Sequence, residues 1–169
     1  MSPSVPTSLY TEEERRRRDA SPWTVVQGVL APLQMLAMLA SLVLIARFLM
    51  TGRGEALALG SVVVKTGFLY AIMVTGSIWE REVFGRWLFA PAFFWEDAVS
   101  MGVIALHTAY VAALFTHALS PVALSLLALT AYATYAINAG QFLLKLRMAR
   151  LSDPRRASAP TPPLAEPAL

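Results

Sequence analysis

Four apolar runs, each about as long as a bilayer is thick and each nearly free of charge, constrain this chain more than anything else in it. They fall at residues 23–50, 57–79, 97–116 and 121–146. A helix needs about 20 apolar residues to cross the hydrocarbon core. In lipid every backbone N–H and C=O must be satisfied within the protein, which leaves helices or closed barrels, and continuous runs of this length exclude the barrel. The fold class that follows is all-α: an integral membrane four-helix bundle. The hydrophobic fraction of 56% agrees, since about 45–50% is usual for a soluble domain. No cysteine is present, so disulfides and thiolate metal sites are excluded. No cleavable signal peptide is expected, because the start is polar and the first apolar run is too long for such a segment.

Helix boundaries can be read from their caps. Residues 1–20 form a polar, basic N-terminal segment, 21–151 the four-helix transmembrane domain, and 152–169 a Pro/Ala-rich tail expected to be disordered. Within the first segment TEEERRRRD opens like a capped helix, with Thr11 at the cap and Glu14 three residues on. Ser21-Pro22 and Ser120-Pro121 each read as a cap followed by proline at the first helical position. Pro32 falls inside the first long helix, where a kink is expected. Basic residues cluster outside the runs. With four spans, eleven lie on the side of the termini and central loop and two, Arg47 and Arg53, on the other, with Lys65 inside the membrane. That bias predicts both termini in the cytoplasm, and a charge pattern of this kind argues for topology instead of nucleic-acid binding.

Between the second and third runs stands WEREVFGRWLFAPAFFWED, residues 79–97. It concentrates aromatics with Glu80, Glu82, Glu96, Asp97 and Arg86, a mixture that a connector does not need. Aromatic side chains favour the headgroup level, so the stretch is expected to be an amphipathic interfacial or re-entrant segment. The carboxyls at its two ends are candidate general acids, because burial and mutual repulsion raise a carboxyl's proton affinity. The ordinary alternative is that Asp97 caps the third helix and the glutamates pair with nearby arginines.

Ionisable residues inside spans are functional candidates by default. Lys65 and His107 sit near the middle of the second and third runs, and Tyr132 in the middle of the fourth. His107 can ligate a metal centre of a tetrapyrrole or be a histidine bonded between helices. Thr134, Asn138, Gln141 and Lys145 form a polar stripe on the fourth helix, and Gln27 and Gln34 share a face of the first.

Three stretches carry a family resemblance: RRRRDASPWTVVQGVLAP, then VVVKTGFLYAIMVTGSIWEREVFGRWLFAPAFFWEDAVSMGVIALHTAY, then AYATYAINAGQFLLKLR. They resemble the vinyl bacteriochlorophyllide hydratase family of bacteriochlorophyll biosynthesis, over about residues 10–151. The resemblance implies a hydro-lyase that adds water to the C3 vinyl group of a chlorophyllide-type tetrapyrrole, giving a 1-hydroxyethyl group. No cofactor is expected. The implied partners are that substrate, membrane lipid and other bacteriochlorophyll-synthesis enzymes, in the bacterial inner (intracytoplasmic) membrane.

Set against that chemistry, the residues take roles. Glu96, Asp97 and Glu80 are the catalytic acids, with Glu96 and Asp97 favoured. Trp79, Trp87, Phe93, Phe94 and Trp95 offer an aromatic slot for the macrocycle. His107 is the candidate axial ligand to the substrate's magnesium, Arg86 or Lys65 the partner of its propionate, and Tyr132 lines the site. About 15 Å of helix separates Asp97 from His107, at about 1.5 Å per residue, a geometric difficulty for one ring reaching both. A non-enzymatic pigment-binding or assembly protein is the alternative, and it would need no acid. A small transporter is a third reading, disfavoured because no inverted repeat is visible.

Overall fold

The computed structural model describes residues 9–151. The terminal calls of disorder, and Arg155 and Arg156, lie outside the described residues. Five helices run α1 (Glu12–Ala20), α2 (Pro22–Thr51), α3 (Glu55–Phe84), α4 (Phe94–Phe115) and α5 (Pro121–Leu151). Four of them are long and apolar enough to cross a membrane. The expected all-α membrane bundle is what forms, with a short helix added ahead of it.

Local sequence explains the ends. Thr11 and Glu14 close the expected capping box of α1: the Glu14 N–H donates to Thr11 Oγ1 at 3.2 Å and the Thr11 N–H to Glu14 Oε2 at 2.7 Å. Ser120 caps α5 by accepting from the Ala123 N–H at 3.3 Å. Ser21 precedes α2 as expected but makes no side-chain cap bond. Its hydroxyl donates to Glu82 of α3 instead. Gly52 ends α2 and Gly85 ends α3 with φ of 67° and 75°, a left-handed backbone that favours glycine. Pro32 lies inside α2 without ending it.

Two boundaries differ from expectation. α3 continues through Phe84, so Glu80 and Glu82 are helical, and α4 starts at Phe94, so Glu96 and Asp97 lie in its first turn. The interfacial segment therefore shrinks to residues 85–93. The cause is that Glu80–Phe84 keeps helical periodicity: Val83 faces the core with no exposure while Arg81 and Glu82 face outward.

The helices pack as two antiparallel hairpins, α2 with α3 and α4 with α5, and the hairpins meet along a narrower seam. Ser41–Ser61 (2.7 Å) and Gln27–Thr75 (2.7 Å) fix the register of the first hairpin. Lys145–Glu96 (2.6 Å) and Asn138–Ser100 (2.7 Å) fix that of the second. Tyr132 joins the two hairpins through Ser41 at 2.7 Å. Helices in lipid gain nothing from hiding apolar surface, and such bonds contribute about 0.6 kcal/mol each on average, so register rests on several together. The outside is apolar, with Val25, Leu36, Val43, Val64 and Ile137 exposed, while Gln34, Ser41, Lys65, Ser100 and His107 are buried. That arrangement suits a lipid solvent.

Candidate active site

Three carboxyl groups and one ammonium meet at the end of the bundle that carries the 85–93 loop. Glu80 from α3 and Asp97 from α4 are both buried and stand side by side beneath the loop. Two carboxyl groups confined together repel each other as anions, the situation in which such a pair favours keeping a proton. Each also accepts a backbone amide of the loop: the Ala90 N–H donates to Glu80 Oε2 at 3.2 Å and the Phe89 N–H to Asp97 Oδ2 at 2.8 Å. The loop is thus folded over the pair and fastened by it. Asp97 does not cap α4, because the cap position is Phe93. Phe89 takes a φ of 59°, uncommon for a bulky residue, which aims its N–H at Asp97.

Glu96, one residue away, has a different partner. Lys145 Nζ lies 2.6 Å from its Oε2, and the same ammonium sits 5.2 Å from the centre of the Phe93 ring. Glu96 is therefore paired with an ammonium, while Glu80 and Asp97 face each other without one. That separates the three acids, of which the sequence favoured Glu96 and Asp97. Glu82 is exposed and takes the Ser21 hydroxyl.

The aromatics divide into two groups instead of forming one slot. Trp79, Phe84 and Phe93 pack inward with Tyr10 and Phe142, at ring separations of 5.7–6.4 Å. Trp79 Nε1 donates to Thr24 Oγ1 at 2.9 Å. Tyr10 stacks on Phe84 at 5.8 Å with Arg18 over its other side, and burial pushes its phenol above the ordinary range. This group anchors α1 and closes the bundle end. Trp87, Phe89, Phe94 and Trp95 point outward, Trp95 being 72% exposed, with Phe94 bridging Phe89 and Trp95 at 5.6 and 5.5 Å. Arg86 is exposed on the same loop.

A second polar cluster lies deeper. The structure brings Lys65, His107 and Tyr132 together, with Lys65 and His107 both at 0% exposure. His107 Nδ1 lies 2.8 Å from the Val103 carbonyl and so carries the hydrogen, which leaves Nε2 to accept from Lys65 Nζ at 2.8 Å. Lys65 Nζ also lies 4.2 Å from the Tyr135 ring centre and 5.5 Å from that of Tyr132. Both ring nitrogens of His107 are in use, so neither faces a ligand, and Lys65 is turned to His107 and not to an anion. The signal for this pairing was the matched depth of the two residues. An open apolar groove lined by Leu42, Ile45, Leu49 and Leu129 lies at the far end of the bundle from the carboxyls and brings no titratable group.

Residues missed as partners are Ser100 and Asn138. Ser100 Oγ donates to the Glu96 carbonyl at 2.9 Å and accepts from Asn138 Nδ2 at 2.7 Å. The stripe on the fourth helix was the signal for Asn138 and for Lys145.

The family model for 2-vinyl bacteriochlorophyllide hydratase matches residues 10–148. The chain is 64% identical over 152 residues to a 2-vinyl bacteriochlorophyllide hydratase of Rhodobacter capsulatus, covering 89% of this chain and 88% of that one. It is 63% identical over 152 residues to the protein of the same name from Cereibacter sphaeroides, covering 89% and 94%. No solved structure matches. With the match running from Tyr10 beside α1 to the last turn of α5, and taking in the loop, the carboxyl cluster and the Lys65–His107 pair, the chain belongs to the 2-vinyl bacteriochlorophyllide hydratase family.

Proposed function

We infer that this protein is a membrane hydratase that adds water to the vinyl group of a chlorophyllide-type tetrapyrrole, and that Glu80 and Asp97 together are its acid. The observation that carries the assignment is the buried pair of carboxyl groups held under the loop amides in a chain of this family. Hydration of a conjugated vinyl group starts with a proton added to the terminal carbon, for which an acid protonated near neutral pH is needed. A carboxyl pair sharing one proton is such a group, and after donation its second carboxylate remains to take a proton back. Glu96, held by Lys145, fixes the first turn of α4 so that Asp97 faces Glu80.

The macrocycle approaches from the membrane surface. Trp87, Phe89, Phe94 and Trp95 give it an exposed apolar face at headgroup depth, and Arg86 on the same loop is the cation for its propionate. Access to the pair requires the Phe89 and Ala90 amides to release the carboxyls, which ties substrate entry to freeing the acid. Lys65, His107 and Tyr132 are assigned to holding the hairpins together, because their polar atoms are satisfied by one another and by Ser41. The test of the activity is to incubate membranes carrying the protein with a vinyl chlorophyllide and look for a mass gain of one water. Pigment bound without that gain would favour the pigment-binding alternative.

Both termini and the 85–93 loop are assigned to the cytoplasmic side of the inner (intracytoplasmic) membrane, from the eleven-to-two basic bias. Reporter fusions after Gly54 and Leu119 are expected to read periplasmic, and fusions after Gly85 and Leu151 cytoplasmic. A cytoplasmic signal at Gly54 would overturn the assignment.

A further inference from the structure

The hydration needs a water held in a bundle whose interior is otherwise closed. Two carbonyl oxygens on α5, Asn138 Oδ1 and Gln141 Oε1, are buried and accept no hydrogen bond among the described residues. Buried acceptors of this kind are rare in folded proteins and call for an explanation. The orientation of Asn138 is fixed by its neighbour. Ser100 spends its hydroxyl hydrogen on the Glu96 carbonyl, so it can only accept from Asn138. The Asn138 NH2 must therefore face Ser100, and its oxygen is the atom left over. Asn138 is 7% exposed. Gln141 follows three residues on, on the same face, between the two cross-links Lys145–Glu96 and Asn138–Ser100. That register sets Asn138 level with Ser100 in the second turn of α4, and Gln141 between it and the first turn, which carries Asp97.

We propose that Asn138 and Gln141 hold the water that adds to the substrate, an inference that rests on the hydratase reading above. A buried water makes two to four hydrogen bonds. Two carbonyl acceptors take both of its hydrogens and leave an oxygen lone pair free, the orientation a nucleophile needs. The steps balance. The π electrons of the vinyl group form a C–H bond with the proton of the Glu80–Asp97 pair, leaving a cation on the inner carbon that the macrocycle delocalises. The water lone pair then forms the C–O bond, and one water hydrogen returns to the pair as a proton. Substrate plus water gives product, and the pair ends as it began. Asn138 and Gln141 are positioning residues for the second step only.

That restriction supplies the test. Membranes carrying the full chain, its Asn138→Leu variant or its Gln141→Leu variant are given a vinyl chlorophyllide in D2O. Hydration is followed alongside deuterium uptake at the terminal vinyl carbon of recovered substrate. A cation that is formed but not captured loses a proton or deuteron and returns as labelled vinyl. Each Leu variant is expected to lose hydration by roughly 10²-fold, the cost of misplacing a reactant, while label uptake continues. Gln141 is only partly buried and makes no cross-helix hydrogen bond among the described residues, so its variant decides the matter even if Asn138→Leu does not fold. Hydration at the parental rate in Gln141→Leu overturns the proposal, and so does loss of hydration and label uptake in step. A parent chain that neither hydrates nor exchanges overturns the hydratase reading instead.

Discussion

Glu80→Gln and Asp97→Asn are each expected to lower the hydration rate by about 10²–10⁴-fold, the range for removing a general acid, while chlorophyllide binding persists. An amide keeps the size of the carboxyl and can still accept the loop amide that each acid holds, Ala90 for Glu80 and Phe89 for Asp97. What it removes is the proton shared across the pair. Glu96→Gln should behave differently. It leaves the Lys145 ammonium, 2.6 Å from Glu96 Oε2, without its counter-charge at a partly buried site, so its first effect is on stability, with hydration lowered less than in the other two. The measurement is product formation in membranes against substrate binding followed by absorption. If both pair variants hydrate within a few-fold of the parent, the pair is not the acid. A larger rate loss in Glu96→Gln than in either pair variant would move the acid to Glu96.

His107→Ala is expected to destabilise the bundle by on the order of 2 kcal/mol, the scale for stranding a charge-assisted hydrogen bond, without abolishing hydration. The variant leaves Lys65 Nζ buried with no ring nitrogen to donate to. Lys65→Met in the same background removes the stranded donor, so the double variant should be less destabilised than the sum of the two single changes. Thermal unfolding in detergent measures this. His117→Ala, at the end of α4 near water, should leave the midpoint unchanged. A His107→Ala protein that unfolds like the parent but no longer binds pigment would return His107 to the role of magnesium ligand.

Both predictions concern residues that were visible in the sequence, which favoured Glu96 and Asp97 as the acid and left His107 between pigment ligand and interhelical histidine. Length and hydropathy of four runs determined the all-α membrane bundle, because lipid leaves an open chain no other way to satisfy its backbone. Thr11, Glu14 and Ser120 were legible as helix ends because a cap is a local event, decided within four residues. The family was legible from residues 10–151, and the comparison over residues 10–148 agrees. The tertiary structure decided who bonds whom. The sequence favoured Glu96 and Asp97 over Glu80, whereas in the fold Lys145, 49 residues from Glu96, takes Glu96 and leaves Asp97 facing Glu80. The aromatic run read as one surface until the turn at residues 85–93 sent Phe93 inward and Trp95 outward, since neighbouring side chains part company wherever the backbone leaves a regular period. His107 read equally as a ligand or as a histidine bonded between helices, and only the fold set Lys65, 42 residues away, against its Nε2. A partner's identity depends on the register between helices. That register is set by many weak cross-helix bonds acting together, and no stretch of sequence holds it by itself.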